Sequence, residues 1–178
     1  MSCDREKITD LPGLEIDESI DSYHTEEDIN YMREAMRLAG MAEEIDEVPV
    51  GALIVRNGEI IASAYNTREH SKCATHHAEI LAIEKACKKL GDWRLDGCEI
   101  YVTLEPCSMC AGAIANARIS KVFFGAYEKK SGAVLSNFRI LFKSGLNHTA
   151  DVEGGILEKE CSKILKDFFF KRRLENKV

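Results

Sequence analysis

No apolar run in the 178 residues approaches the roughly 18–20 that a bilayer-spanning helix requires, so a membrane is not an expected partner. The N-terminus also lacks a basic segment followed by an apolar one, so it does not read as a signal peptide, and the cytoplasm is the expected compartment. There is no internal repeat and no low-complexity tract, and the length suits one domain that can bury a core without disulfides. Aromatic side chains are few, at 7%, but the 45% apolar content is that of an ordinary soluble globular chain.

What is present in quantity is cysteine. Seven of them (Cys3, Cys73, Cys87, Cys98, Cys107, Cys110 and Cys161) is an odd number, which argues against a disulfide framework and for metal ligation by some of them. Isolated thiols such as Cys87 read as small core residues.

The net charge of −6 is unevenly spread. Residues 1–30 hold ten acids and two bases, leaving 20 acids against 22 bases for the remainder, so the acidity belongs to the N-terminal segment. From Lys166 onward five bases face only Asp167 and Glu175, a basic end compatible with a phosphate-bearing partner. Residues 1–24 are polar and without period and read as a flexible extension; residues 25–178 form the single folded domain.

Thr25 followed by Glu26, Glu27 and Asp28 marks a helix start, and Ile29, Met32, Ala35, Met36 and Ala39 continue it at helical spacing, with Pro49 ending the region. Val50–Val55, the turn Asn57-Gly58 and Glu59–Tyr65 read as a hairpin. After a loop over 66–75 come a helix stopped by Gly91, a strand Glu99–Thr103, a small-residue helix Ser108–Ala117 and a strand Lys121–Ala126. A further helix is predicted over Leu135–Phe142, a short strand near 148–152, and a last helix over Leu157–Leu174. The pattern predicts a three-layer α/β/α sandwich around a mixed five-stranded sheet.

The chemistry concentrates in His77-Ala78-Glu79 and Pro106-Cys107-Ser108-Met109-Cys110. Cysteines three apart at a helix start share a face, and the macrodipole there favours the thiolate. Pro106 suits the entry to such a helix. His77, at the start of another helix, would complete a His-Cys-Cys zinc set. Three protein ligands leave a position for water, which zinc acidifies to a pKa of about 7, and Glu79 stands close enough to move its proton. A structural zinc site would instead need a fourth ligand, with Cys73, Cys98, His70 and His76 as candidates.

His-x-Glu followed by Pro-Cys-x-x-Cys is the zinc deaminase signature. Over residues 26–174 the chain resembles the bacterial tRNA-specific adenosine deaminases of the cytidine deaminase superfamily. The likeness extends to Val48-Pro49-Val50-Gly51-Ala52, His77-Ala78-Glu79-Ile80, Asp92-Trp93-Arg94-Leu95, Tyr101 to Cys107, Cys110-Ala111-Gly112-Ala113 and Asp167-Phe168-Phe169.

The resemblance implies a cytidine-deaminase-like fold, a homodimer, one Zn2+ per subunit on His77, Cys107 and Cys110, and Glu79 as proton shuttle. It implies hydrolytic conversion of the wobble adenosine of a tRNA anticodon stem-loop, that of an arginine tRNA, to inosine. Asn66, Ala78, Glu128, Lys130, Ser131, Arg172 and Arg173 take the substrate-contacting places, although Asn66 by its position alone reads as an ordinary turn residue. At least two of Phe168, Phe169 and Phe170 are expected in the core, since consecutive helical residues cannot share one face. Glu128 stands where the family usually has aspartate, Cys73-Ala74 replaces Asp-Pro, and His76 replaces a small residue. A deaminase of free guanine or cytosine, and a non-catalytic RNA-binding zinc protein, are the competing functions; Glu79 speaks against the second.

Overall fold

The computed structural model describes residues 24–142 and 145–175. Apart from His24, the acidic extension expected over residues 1–24 lies outside the described residues. Helix α1 (Glu26–Glu44) opens with a capping box, Thr25 and Asp28 each bonding the other's backbone N–H. Strands β1 (Gly51–Arg56) and β2 (Glu59–Tyr65) form the expected hairpin, with Asn57 and Gly58 both at positive φ.

A short helix α2 (Arg68–Ser71) then lies inside the stretch read as loop. Helix α3 (Ala78–Leu90) ends on Gly91 in the left-handed conformation, as its position predicts. There follow β3 (Cys98–Leu104), α4 (Ser108–Asn116), β4 (Lys121–Ala126), β5 (Asp151–Gly154) and α5 (Glu158–Glu175).

The strands run in the order β2-β1-β3-β4-β5, antiparallel as far as β3 and parallel from there. Alternate side chains divide between two cores, because successive residues of a strand face opposite ways. Ala52, Ile54, Ile100, Val102, Val122 and Phe124 pack beneath α3 and α4, whereas Leu53, Val55, Tyr101 and Phe123 pack against α1 and α5. This is the expected three-layer sandwich with a mixed five-stranded sheet. No helix among the described residues is long and apolar enough to cross a membrane.

The helix predicted over Leu135–Phe142 does not form: only a single 3-10 turn, Ile140–Phe142, is present. The N–H groups of Asn137 and Phe138 bond the Gly132 carbonyl and that of Ile140 the Ala133 carbonyl, none of them four residues back, and Arg139 has φ +47°, so an α-helical ladder does not propagate there. The short strand lies at 151–154, slightly beyond its expected place.

Candidate active site

His77 and Cys107 occupy equivalent places in the fold. Each is the N-cap of its helix, with extended backbone and no side-chain capping bond, so both side chains are free for other work. Cys110 lies one turn into α4, and α3 and α4 pack side by side under the sheet. The His77 Nδ1 stands 3.8 Å from the Cys107 Sγ and 3.7 Å from the Cys110 Sγ. All three ligand atoms lie within 4.8 Å of one another.

These distances fit a tetrahedral zinc, whose Zn–N and Zn–S bond lengths imply N–S edges of about 3.6 Å. The electrostatics fit as well. The Cys110 contact, and against the pull of burial the His77 ring, bring the Cys107 thiol down to about 4. That same contact, with burial, drives the Cys110 thiol up. Two sulfurs this close therefore resist ionising together unless a cation lies between them. Among the described residues, none of Cys73, Cys98, His70 and His76 joins the cluster.

Among the described residues Glu79 is one of five buried polar or charged ones, and burial pushes its carboxyl up. It lies one place into α3 beyond Ala78, beside Cys110 and outside the cluster of three. His77, Cys107 and Glu79 open on a cavity of about 180 Å³ lined also by Val48, Val50, Asn66, Leu104, Glu105 and Glu128, with Cys110 fully buried behind them. Its walls come from the carboxyl ends of β2, β3 and β4 and from the entry to β1. Ligands of open α/β sheets collect at such strand ends.

Asn66 is buried, with its Nδ2 donating to Glu47 Oε2 at 3.0 Å. Glu47, 1% exposed, also accepts from the His70 backbone N–H at 2.6 Å, tying α2 to the cavity wall.

A profile of the MafB19-like deaminases matches residues 26–173. The chain is 49% identical over 148 residues to the tRNA-specific adenosine deaminase of Bacillus subtilis, covering 83% of this chain and 92% of that one. The corresponding enzyme of Aquifex aeolicus is 50% identical over 143 residues, covering 80% and 94%. The chain belongs to the tRNA-specific adenosine deaminase family. A solved structure of a tRNA:A34 deaminase, studied for A-to-I editing at the wobble position of transfer RNA, superposes with a TM-score of 0.75 at 44% identity, covering 76% and 99%.

On this deaminase scaffold the other expected substrate residues are spread over two regions. Asn66, Glu128 and Ser131 line the cavity itself. Ala78 is fully buried behind it at the first turn of α3. Lys130 is exposed on the loop after β4, its N–H bonded to the Glu128 carboxylate at 2.8 Å. Arg172 and Arg173 lie outside the cavity, along a neighbouring groove with Asp46, Arg68 and Phe169. Arg172 donates to the Asp46 carbonyl at 2.7 Å.

Of the three phenylalanines only Phe168 is buried; Phe169 is 45% and Phe170 59% exposed, contrary to the expectation of two in the core. The sheet supports α5 along one stripe only, so two of three consecutive rings project outward.

Glu47, Arg68 and Glu105 were not legible as site residues. Arg68 lines the cavity from α2. Glu105 is buried, and although burial opposes its charge, hydrogen bonds from Ser136, Leu135 and Glu128 hold its carboxyl below the usual range. The available signal was an acid next to an otherwise apolar strand end, at Glu47-Val48-Pro49-Val50 and at Leu104-Glu105-Pro106.

Proposed function

We propose that this chain hydrolyses adenosine to inosine at the wobble position of a tRNA anticodon, an arginine tRNA being the substrate the family resemblance points to. The observation that carries the chemistry is a cluster of three side chains able to hold a metal, two of which, His77 and Cys107, line a cavity that Glu79, a buried carboxyl outside the cluster, also lines. The tRNA assignment rests on the relatives' activity. His77, Cys107 and Cys110 would hold one zinc ion per subunit. Bound there, zinc supplies water made acidic near neutrality.

The chain's own residues do the rest. The reaction adds water at C6 of adenine, breaks the C6–amine bond and releases ammonia. Glu79 takes a proton of the attacking water and delivers it to N1, and then passes the proton of the new C6 hydroxyl to the departing amine, which leaves as ammonia as the C6 carbonyl forms. Burial raises the proton affinity of Glu79, which suits a group that must both accept and return a proton. Asn66, held by Glu47, orients the base, and Glu128 and Ser131 border it.

A stacked base cannot enter such a cavity, so the target nucleotide must be splayed out of a single-stranded loop. Lys130, Arg172 and Arg173 would meet phosphates beside the entrance. The protein would act in the cytoplasm as a homodimer, with residues 1–24 an appendage to the deaminase domain 25–178.

The test is incubation with anticodon stem-loops carrying A, C or G at the wobble position, with free adenosine, guanine and cytosine in parallel. A mass gain of about one dalton confined to the adenosine stem-loop is expected. Ammonia release from free guanine or cytosine without change in any stem-loop would replace this function with that of a free-base deaminase.

A further inference from the structure

The loop between β4 and β5 contributes Glu128 and Ser131 to the cavity, yet its first part contains no regular element beyond one 3-10 turn. Its shape is set by one carboxylate outside the loop, that of Glu105, which also reaches the cavity wall. Glu105 Oε2 accepts the Glu128 N–H at 3.1 Å, at the start of the loop. Glu105 Oε1 accepts the N–H groups of Val134 at 3.2 Å and of Leu135 and Ser136 at 2.7 Å each, further along it. The Ser136 hydroxyl donates to Oε2 as well.

Both ends of the nine-residue arc from Glu128 to Ser136 thus converge on a side chain that is 2% exposed. The arc is also docked onto the segment bearing a metal-ligating cysteine. Ala133 donates to the Pro106 carbonyl at 2.9 Å, and Gly132 pairs with Cys107 in an isolated β-bridge. A Cβ at Gly132 would fall 2.6 Å from the Glu105 carboxyl carbon, so only glycine lets the loop lie this close.

We propose that Glu105 is a positioning residue that sets the reach of Glu128 and Ser131 into the substrate cavity, and so governs substrate fit without taking part in proton transfer. This rests on the deaminase function proposed above. The choice of carboxylate follows from valence. Five donors converge, and a carboxylate offers acceptors only, on both oxygens. An amide of the same shape must turn an NH2 toward some of those donors. With its oxygen kept on the three-donor side, the NH2 of a glutamine faces the Glu128 N–H, and the cavity end of the loop is released.

The experiment is Glu105→Gln in the full-length, zinc-loaded protein, read by metal content, by amide hydrogen exchange, and by kcat and KM on the adenosine stem-loop. Zinc content is expected to stay at the wild-type level. Exchange in peptides covering 127–137 should quicken by about tenfold while α3 and β3 stay protected. KM should rise about tenfold with kcat within about threefold of wild type, because substrate fit and not chemistry is impaired.

Unchanged exchange over 127–137, or a fall in kcat at constant KM, would overturn the proposal. If Glu105→Gln yields no folded protein, Ser136→Ala decides by the same readouts. It removes one donor and leaves the carboxylate, and should give a rise in KM of about threefold together with faster loop exchange; no change in either would overturn the proposal. The exchange measurement needs no substrate. A wild-type protein inert toward every stem-loop would therefore defeat the function while loop exchange still decided the brace.

Discussion

The Asn66 amide nitrogen lies 3.0 Å from the buried Glu47 carboxylate, a bond that joins the end of β2 to the segment entering β1. Because a carboxylate only accepts, the bond settles which end of the amide faces away from the cavity. Glu47 is in turn held by the His70 backbone N–H at 2.6 Å. The amide that Asn66 brings to the cavity wall therefore has its orientation imposed from behind.

Glu47→Gln removes that imposition, since a glutamine can present oxygen or nitrogen to Asn66. We expect a KM for the adenosine stem-loop raised by about five- to tenfold, with a smaller change in kcat. Glu47→Ala should also lower stability by about 1–3 kcal/mol, because it strands the buried Asn66 amide and removes the partner of the His70 N–H. Steady-state kinetics and thermal melts measure both; a KM unaffected by either substitution would contradict the orienting role.

Glu79→Gln keeps the shape of the side chain and removes its capacity to carry a proton. Single-turnover rates should fall by roughly 10²- to 10⁴-fold, with zinc content and melting temperature close to wild type. Near-normal turnover would refute the shuttle.

Metal removal should separate folding from chemistry. A chelator is expected to abolish deamination and zinc alone to restore it. Cys110→Ser, deeper in the core than Cys107, should retain well under one equivalent of metal on elemental analysis. Full activity in metal-free protein would end the hydrolytic scheme.

In metal-free protein Cys107 should be the outlier among the buried and half-buried thiols. With its thiol down to about 4, it is ionised at pH 6, where an ordinary cysteine is thiolate to well under about 1%. The sign follows from the lowered value: the thiolate form persists above about pH 4 and is lost below it. Iodoacetamide at pH 6 should therefore label Cys107 rapidly, and zinc should block that labelling. Cys73, whose thiol is also lowered by its Thr75 contact, should label without regard to zinc. Peptide mass mapping tells the two apart.

Deleting residues 1–24 should leave stem-loop turnover within about twofold and melting temperature within a few degrees, since the helix cap begins at Thr25. A marked loss of either would place this segment in the working protein.

The order of helices and strands was written into the chain, because apolar period, capping residues and glycine stops act within a few positions of themselves. Thr25, Asn57-Gly58 and Gly91 each do what their local chemistry requires. The His77, Cys107 and Cys110 set was legible for the same reason: each ligand sits at a helix start that local sequence announces. Only the tertiary structure decided the rest. Glu47 and Glu105 act across 19 to 31 positions, and no period records such pairings. The stretch 135–142 carries a helical pattern, yet in the loop that Glu105 holds the amides of Asn137, Phe138 and Ile140 bond the carbonyls of Gly132 and Ala133, and that arrangement overrides the local preference.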